Sequence, residues 1–325
     1  MPYTFLVTRR IPQAGMDILR TAGEVVVNEQ DRKLASAELL EMGKSCDGWL
    51  TMLTDIIDGA LIRQCSKLRG IANYAVGHNN IDISTCTQMH IGVSNTPDVL
   101  TDATAEIAFA LMLCTARRIV EADKFLRSGQ WTGWAPLQFL GTDICNQTLG
   151  IVGAGRIGSR VAEMAAGFNM RILYAGRSPK PELERRTKAI FTSLPQLLRE
   201  SDFISLHAPL TAETRHLIGA AQLRMVKPGA ILINTARGAL IDEAALVEAL
   251  REKRIRGAGL DVFEHEPQVT PGLRELDNVV LLPHIGSATE TTRARMAVMA
   301  AENLIAMAAG RRAANAVNPE VWDSK

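Results

Sequence analysis

Residues 148–168 read TLGIVGAGRIGSRVAEMAAGF. An apolar run, Leu149–Val152, meets Gly153, Gly155 and Gly158 in the spacing G-x-G-x-x-G, and a helix-compatible stretch follows at once. The spacing alone says little, but between a strand and a helix it marks the phosphate-binding turn of a parallel α/β sheet. Gly153 allows the tight turn, Gly155 lets a pyrophosphate approach the backbone, and Gly158 lets the helix pack closely on the strand. Ala154, Arg156 and Ile157 share that cradle. The helix start offers free N–H groups and a partial positive charge to the phosphates. A chain with this unit is expected to bind a dinucleotide.

The rest of the chain alternates in the same manner. β-rich runs at TFLVT (4–8), EVVV (24–27), GWLTM (48–52), LRGIAN (68–73) and HIGVS (90–94) are separated by segments of helical spacing. A second series comprises TLGIV (148–152), MRILYA (170–175), FISLHA (203–208), AILINTA (230–236), AGLDVF (258–263) and VVLLP (279–283). Strand–helix alternation of this kind implies parallel sheets with helices on both faces. Residues 98–128 contain no Pro or Gly and are expected to form one long helix, capped by Asp98 or Thr101 and buried over Ile107–Leu113. A closing helix is expected over about 288–309. We therefore expect two doubly wound α/β domains, one made of residues 1–100 and 288–325, the other of residues 101–287.

Composition narrows the class. The 325 residues are 47% apolar and 22% charged, with a formal net charge of +1, so neither nucleic acid nor an anionic membrane is indicated as a partner. No signal peptide or apolar run of membrane-spanning length is evident. Five scattered cysteines with no CxxC suit a reducing, cytoplasmic setting and offer neither a disulfide framework nor a zinc site. No metal is expected.

The next strand after the glycine turn runs into ILYAGRSPK (172–180). Many NAD-binding chains place an acidic residue here, about 20 residues beyond the glycines, to hold the ribose 2′-OH. This chain has Gly176, Arg177 and Ser178 instead, with Lys180 close by. A guanidinium pairs with a 2′-phosphate and a serine hydroxyl adds a donor, so NADP(H) is expected in preference to NAD(H).

Three stretches follow strand ends: INTARGALID (233–242), GLDVFEHEP (259–267) and LLPHIGSAT (282–289). The carboxyl ends of strands in a doubly wound sheet converge on one crevice, so Arg237, Glu266 and His284 are expected to meet there. Arginine grips a carboxylate bidentately, histidine moves the proton that accompanies hydride transfer, and a glutamate bonded to it fixes its tautomer.

With these motifs the chain resembles the D-isomer-specific 2-hydroxyacid dehydrogenases, most closely their glyoxylate/hydroxypyruvate reductase branch. The matching stretches NYAVGHNNID, NTPDVLTDATAEIAFAL, GIVGAGRIG, NTARGALID, GLDVFEHEP and LPHIGSAT span nearly the whole chain. The resemblance implies a Rossmann cofactor domain inserted into a flavodoxin-like substrate domain. It implies that Arg237 binds the substrate carboxylate, that Glu266 partners the histidine and that His284 is the acid/base. It also implies Val76 and Gly77 amides on the substrate and Leu53 at the pocket wall. Thr104, Thr235, Ala236, Asp261 and Gly286 would face the cofactor. WTGWAPL implies a homodimer in which Trp134 reaches the partner's substrate pocket. The activity implied is NADPH-dependent reduction of glyoxylate to glycolate and of hydroxypyruvate to D-glycerate. Other enzymes of the family, such as 2-ketogluconate reductase or phosphoglycerate dehydrogenase, and non-enzymatic nucleotide-sensing corepressors are the alternatives. Glu266 disfavours a formate-dehydrogenase-like chemistry, where that branch typically has Gln.

Overall fold

The apolar runs of the first hundred residues form five parallel strands, β1 (Tyr3–Val7), β2 (Gly23–Val27), β3 (Gly48–Thr51), β4 (Gly70–Asn73) and β5 (Gly92–Ser94). Their order in the sheet is β2-β1-β3-β4-β5, the flavodoxin-like arrangement. β1, β3, β4 and β5 are almost wholly buried, which is why they read as continuous apolar runs rather than as an alternation. Helices α1 (Gln13–Ala22), α2 (Ser36–Gly43), α3 (Gly59–Ile62) and α4 (Ile83–Gln88) connect them. Asp58 and Asp82 cap α3 and α4 by accepting from Leu61 and Thr85 N–H.

The computed structural model describes residues 2–323, which divide into two units, 2–100 with 287–323 and 101–286. The second unit begins with α5 (Thr101–Ala116) and α6 (Ile119–Arg127). Its sheet contains β6 (Thr148–Val152), β7 (Arg171–Ala175), β8 (Ile190–Phe191), β9 (Phe203–Leu206), β10 (Ile231–Asn234), β11 (Gly257–Leu260) and β12 (Val279–Leu281). The order β12-β11-β10-β9-β6-β7-β8 is parallel throughout and reverses direction at β6, between β7 and β9. That is the doubly wound dinucleotide-binding topology, with its switch point beside the glycine turn. Helices α7 (Arg156–Ala166), α8 (Pro181–Thr187), α9 (Leu194–Glu200), α10 (Ala220–Leu223) and α11 (Glu243–Arg251) join the strands. The last helices, α12 (Glu290–Ala308) and α13 (Glu320–Asp323), belong to the first unit, where α12 packs on α1, β3 and β4.

One expectation fails. Residues 98–128 do not form a single helix: the chain breaks at Arg117–Arg118, where Arg118 takes a left-handed φ of 54°. The cause lies outside the segment. The Thr142 N–H donates to the Ala116 carbonyl at 2.9 Å, capturing the group that would have continued the helix. Arg118 then pairs with Glu121 (2.6 Å) and lies over the Phe139 ring, 5.2 Å from its centroid. The helix also starts at Thr101 rather than at Asp98, which sits at φ 68°. As expected, the middle of α5 is buried, at Ala105, Ala108, Leu111 and Met112. Among the described residues no helix is long and apolar enough to cross a membrane.

Candidate functional site

At the end of β6 the chain turns through Gly153, whose φ is +95°; a Cβ there would lie 2.7 Å from the Ala208 nitrogen. A Cβ on Gly158 would lie 2.3 Å from the Gly153 carbonyl oxygen, so only glycine lets α7 start this close to β6. Gly155 differs: it is exposed, and a Cβ built on it meets nothing within 4 Å. It is the N-cap of α7 and brings no side-chain hydrogen bond to the first-turn amides. Open space over an uncapped helix start fits a pyrophosphate. Ala154 is buried beneath the loop, Ile157 is half-buried and Arg156 is exposed. Beside the turn, His207 Nε2 lies 2.8 Å from Ser205 Oγ, and burial pushes the His207 imidazole down to about 4, leaving it neutral.

The turn after β7 is braced from below. Buried Tyr174 accepts at its hydroxyl from Lys180 N–H (2.6 Å) and donates to Glu184 (2.5 Å). Gly176, Arg177 and Ser178 are exposed above it, and Arg177 forms no hydrogen bond or ion pair among the described residues. An unpaired guanidinium on a braced turn is a ready anion site.

The trio expected at the strand ends is assembled by register. Asn234 of β10 is level with Leu260 of β11, and Leu260 with Leu281 of β12. Arg237, Asp261 and His284 therefore leave neighbouring strands within three residues of their ends. His284 Nδ1 lies 2.9 Å from Glu266 Oε2, and Glu266 Oε1 accepts from the Phe263 N–H at 3.0 Å. Both side chains are about one quarter exposed. Burial by itself would raise the Glu266 pKa, but the bond and charge of His284, the Phe263 amide and the Arg237 charge outweigh it, so the carboxyl sits below its ordinary value. Its stabilising contribution is thus present above the ordinary carboxylate range and fades as pH falls through the lowered value. Burial lowers the Arg237 guanidinium, opposed by Glu266, and Arg237 Nη1 donates to the Ala236 carbonyl at 2.7 Å. The carboxylate on Nδ1 assigns the proton there and leaves Nε2 as the exchanging atom.

The residues expected around a nicotinamide are also gathered in this unit. A Cβ on Gly286 would lie 3.1 Å from Asp261 Oδ2 and 3.4 Å from Thr104 Cγ2, which places the three together. Thr235 is buried and its hydroxyl has no hydrogen-bond partner, an orphaned polar atom of the kind a ligand satisfies. Ala236 N–H donates to Asn234 Oδ1.

In the first unit, Leu53, Val76 and Gly77 occupy the loops after β3 and β4, each half-exposed. Trp134 is 84% exposed and Leu137 79%, in an irregular segment that also exposes Trp131 and Leu140. Among the described residues Trp134 makes no hydrogen bond or ring contact.

The residues 109–286 match the family model described as the D-isomer specific 2-hydroxyacid dehydrogenase, NAD binding domain. The chain belongs to that family. It is 51% identical over 320 residues to a glyoxylate reductase of Thermococcus onnurineus, covering 97% of this chain and 96% of that protein. Among solved structures, a Thermus thermophilus protein superposes with a TM-score of 0.91 at 45% identity, covering 97% of this chain and 99% of that one. An NADPH-dependent glyoxylate/hydroxypyruvate reductase from Sinorhizobium meliloti, solved with NADP and malonate, gives a TM-score of 0.88 at 32% identity, with 98% of each chain covered. The protein is an oxidoreductase of this dehydrogenase family, with the two parallel-sheet α/β units the motifs implied.

Two supports escaped the sequence reading. Asn234 donates from Nδ2 to the Arg237 carbonyl (2.9 Å) while accepting from Ala236 N–H (3.0 Å), closing the turn that presents Arg237. Asp261 accepts the Ile285 and Gly286 N–H groups, both at 2.7 Å, and so fixes the loop on which His284 stands at φ 57°. An Asn or Asp at a strand end is a general sign of such backbone bracing, though it does not name the amide braced. Asp261→Asn replaces one acceptor oxygen by NH2 and leaves a buried amide unmet, at a cost of about 1–3 kcal/mol. Urea denaturation should show that loss, and turnover should fall with it; an unchanged midpoint and rate would remove Asp261 as the brace.

Proposed function

We propose that the protein reduces short 2-oxo acids with NADPH, taking glyoxylate to glycolate and hydroxypyruvate to D-glycerate. The observation that carries this reading is the Arg237, Glu266 and His284 arrangement in the same unit as an open, uncapped phosphate cradle. Reduced nicotinamide, when bound, supplies the hydride. Arg237 clamps the substrate carboxylate and orients the carbonyl; the Val76 and Gly77 amides add donors to it, and Leu53 walls the pocket. His284, protonated at Nε2, donates to the oxygen that becomes the hydroxyl. Glu266 holds the imidazole in that orientation. Gly153, Ala154, Gly155, Arg156, Ile157 and Gly158 hold the pyrophosphate, with Thr104, Thr235, Ala236, Asp261 and Gly286 toward the nicotinamide end. Relatives named for reduction of glyoxylate, and one for glyoxylate and hydroxypyruvate, support the substrate class. The five free cysteines suit a reducing cytoplasm.

The test is the oxidation of NADPH and NADH against a panel of 2-oxo acids. Glyoxylate and hydroxypyruvate should lead with NADPH, and inactivity toward every oxo acid would overturn the reading. His284→Asn should retain NADPH binding and lose on the order of 10²–10⁴-fold in kcat, the usual contribution of a general acid. Near-normal turnover would take His284 out of the mechanism.

The exposed Arg177 on its braced turn supports the 2′-phosphate, with Ser178 as a second donor and Gly176 leaving the approach clear. Arg177→Ala should weaken NADPH by about 1.5–3 kcal/mol and leave NADH nearly untouched. A wild-type preference for NADH, measured by titration, would contradict this assignment.

The exposed aromatic and aliphatic surface at Trp131, Trp134, Leu137 and Leu140 supports a homodimer in which Trp134 walls the partner's oxo-acid pocket. Subunit exchange between Trp134→Ala and Arg237→Ala variants pairs one intact Arg237 with one intact Trp134. Wild-type size selectivity should return in that hybrid; selectivity like that of the Trp134→Ala homodimer would place the ring's action elsewhere.

A further inference from the structure

In the loop after β4, three successive carbonyls are each held by a donor: Ala75 by Thr96 N–H (2.9 Å), Val76 by Asn95 Nδ2 (2.7 Å) and Gly77 by Asn73 Nδ2 (2.8 Å). A trans peptide points its N–H opposite to its C=O, so each held carbonyl also aims the next residue's N–H away from these partners. Those are the Val76, Gly77 and His78 amides. Among the described residues they donate to no acceptor, and all three residues are at least partly open to solvent. Consecutive backbone N–H groups with no acceptor of their own are donors that an anion can use.

The holders are themselves well fixed. Asn73 is fully buried, and its Oδ1 accepts from Thr51 Oγ1 at 3.1 Å. Its amide also donates to Asn80 Oδ1 (3.1 Å), and Asn80 Nδ2 donates to the Met52 and Asp55 carbonyls, both at 3.1 Å. Asn80 thereby ties the loop that carries Leu53 to the loop that carries the amides. Asp55, buried, accepts from Met52 N–H at 2.8 Å and closes the first of these loops from within. Asparagine is suited to each of these positions because one planar amide offers a donor and an acceptor at once.

We infer that Asn95 and Asn73 are positioning residues for substrate, aiming the Val76, Gly77 and His78 N–H groups together at the carboxylate of the 2-oxo acid, with Asn80 fixing Leu53 against them. The inference rests on the proposed reductase reading and adds a third donor, His78 N–H, and the side chains that set its direction. It also accounts for Asn73, Asn80 and Asn95, whose side-chain amides neither sheet pairing nor helix capping requires.

Asn95 is the residue to change, since its side chain is only half-buried and its backbone bond to Asn315 does not involve the side chain. Asn95→Asp keeps the shape but sets a carboxylate against the Val76 carbonyl; Asn95→Ser removes the donor without adding charge. The expected result for both is a rise of about tenfold in KM for glyoxylate, the scale of one hydrogen bond, with kcat and NADPH affinity nearly unchanged. A merely structural role would instead lower thermal stability and move all three constants together. The second readout is independent of turnover: amide resonances of the wild-type enzyme saturated with NADP+ are followed during titration with oxamate. Val76, Gly77 and His78 should shift together with one saturation curve, and the Gly77 response should shrink in Asn95→Ser. An enzyme that reduces glyoxylate while these amides stay silent, or an unchanged KM in both variants, overturns the inference alone. Responsive amides in an enzyme that reduces no 2-oxo acid uphold the anion site and overturn the reductase reading instead.

Discussion

The buried carboxylate of Asp261 and the strand register that delivers it organise the chemistry of the 101–286 unit. Asp261 follows β11 by one residue, and its N–H donates to the Asn234 carbonyl at the end of β10 (2.9 Å). Its side chain reaches across to two amides of the loop beyond β12. One residue therefore ties together three strand ends, and with them the turns that carry Arg237 and His284. Burial is the largest influence on this carboxyl and raises its pKa, while the two amides and the charge of His284 oppose the shift. Those two amide bonds, both 2.7 Å, hold the loop on which His284 takes a positive φ, a conformation uncommon for a residue with a Cβ.

Charge is distributed with the same economy. Glu266 faces His284 directly and is held by a backbone amide on its other oxygen, so its carboxylate is oriented before any ligand arrives. Arg237 is partly buried, where a guanidinium is costly unless an anion compensates it. Glu266 supplies such compensation. Arg177 is the converse: an exposed cation on a turn braced by the Tyr174 hydroxyl.

Much of this was legible in the sequence. The glycine spacing after an apolar strand named the nucleotide fold, and the apolar runs located the strands because parallel strands bury both faces. Arg237, Glu266 and His284 were visible because each follows a strand end, where doubly wound sheets build their sites. The break at Arg118 was not legible: the segment has helical composition, and what ends the helix is a backbone N–H from Thr142, 26 positions beyond Ala116. The asparagine braces were hidden for a related reason. A side-chain amide bonded to a backbone carbonyl leaves no periodic mark, and residue type alone does not say which carbonyl it will hold. Tyr174 reads simply as a strand residue, although its hydroxyl sets the turn below Arg177.

The central claim is that this arrangement passes a hydride to the carbonyl carbon of a 2-oxo acid while His284 protonates its oxygen. The most direct measurement is a single turnover of glyoxylate with NADPH deuterated at the transferring C4 position, followed by mass analysis of the product. The account predicts glycolate carrying one deuterium at C2, with none acquired there from solvent. Glycolate whose C2 hydrogen comes from solvent, or bound cofactor that is never oxidised by glyoxylate, would contradict it.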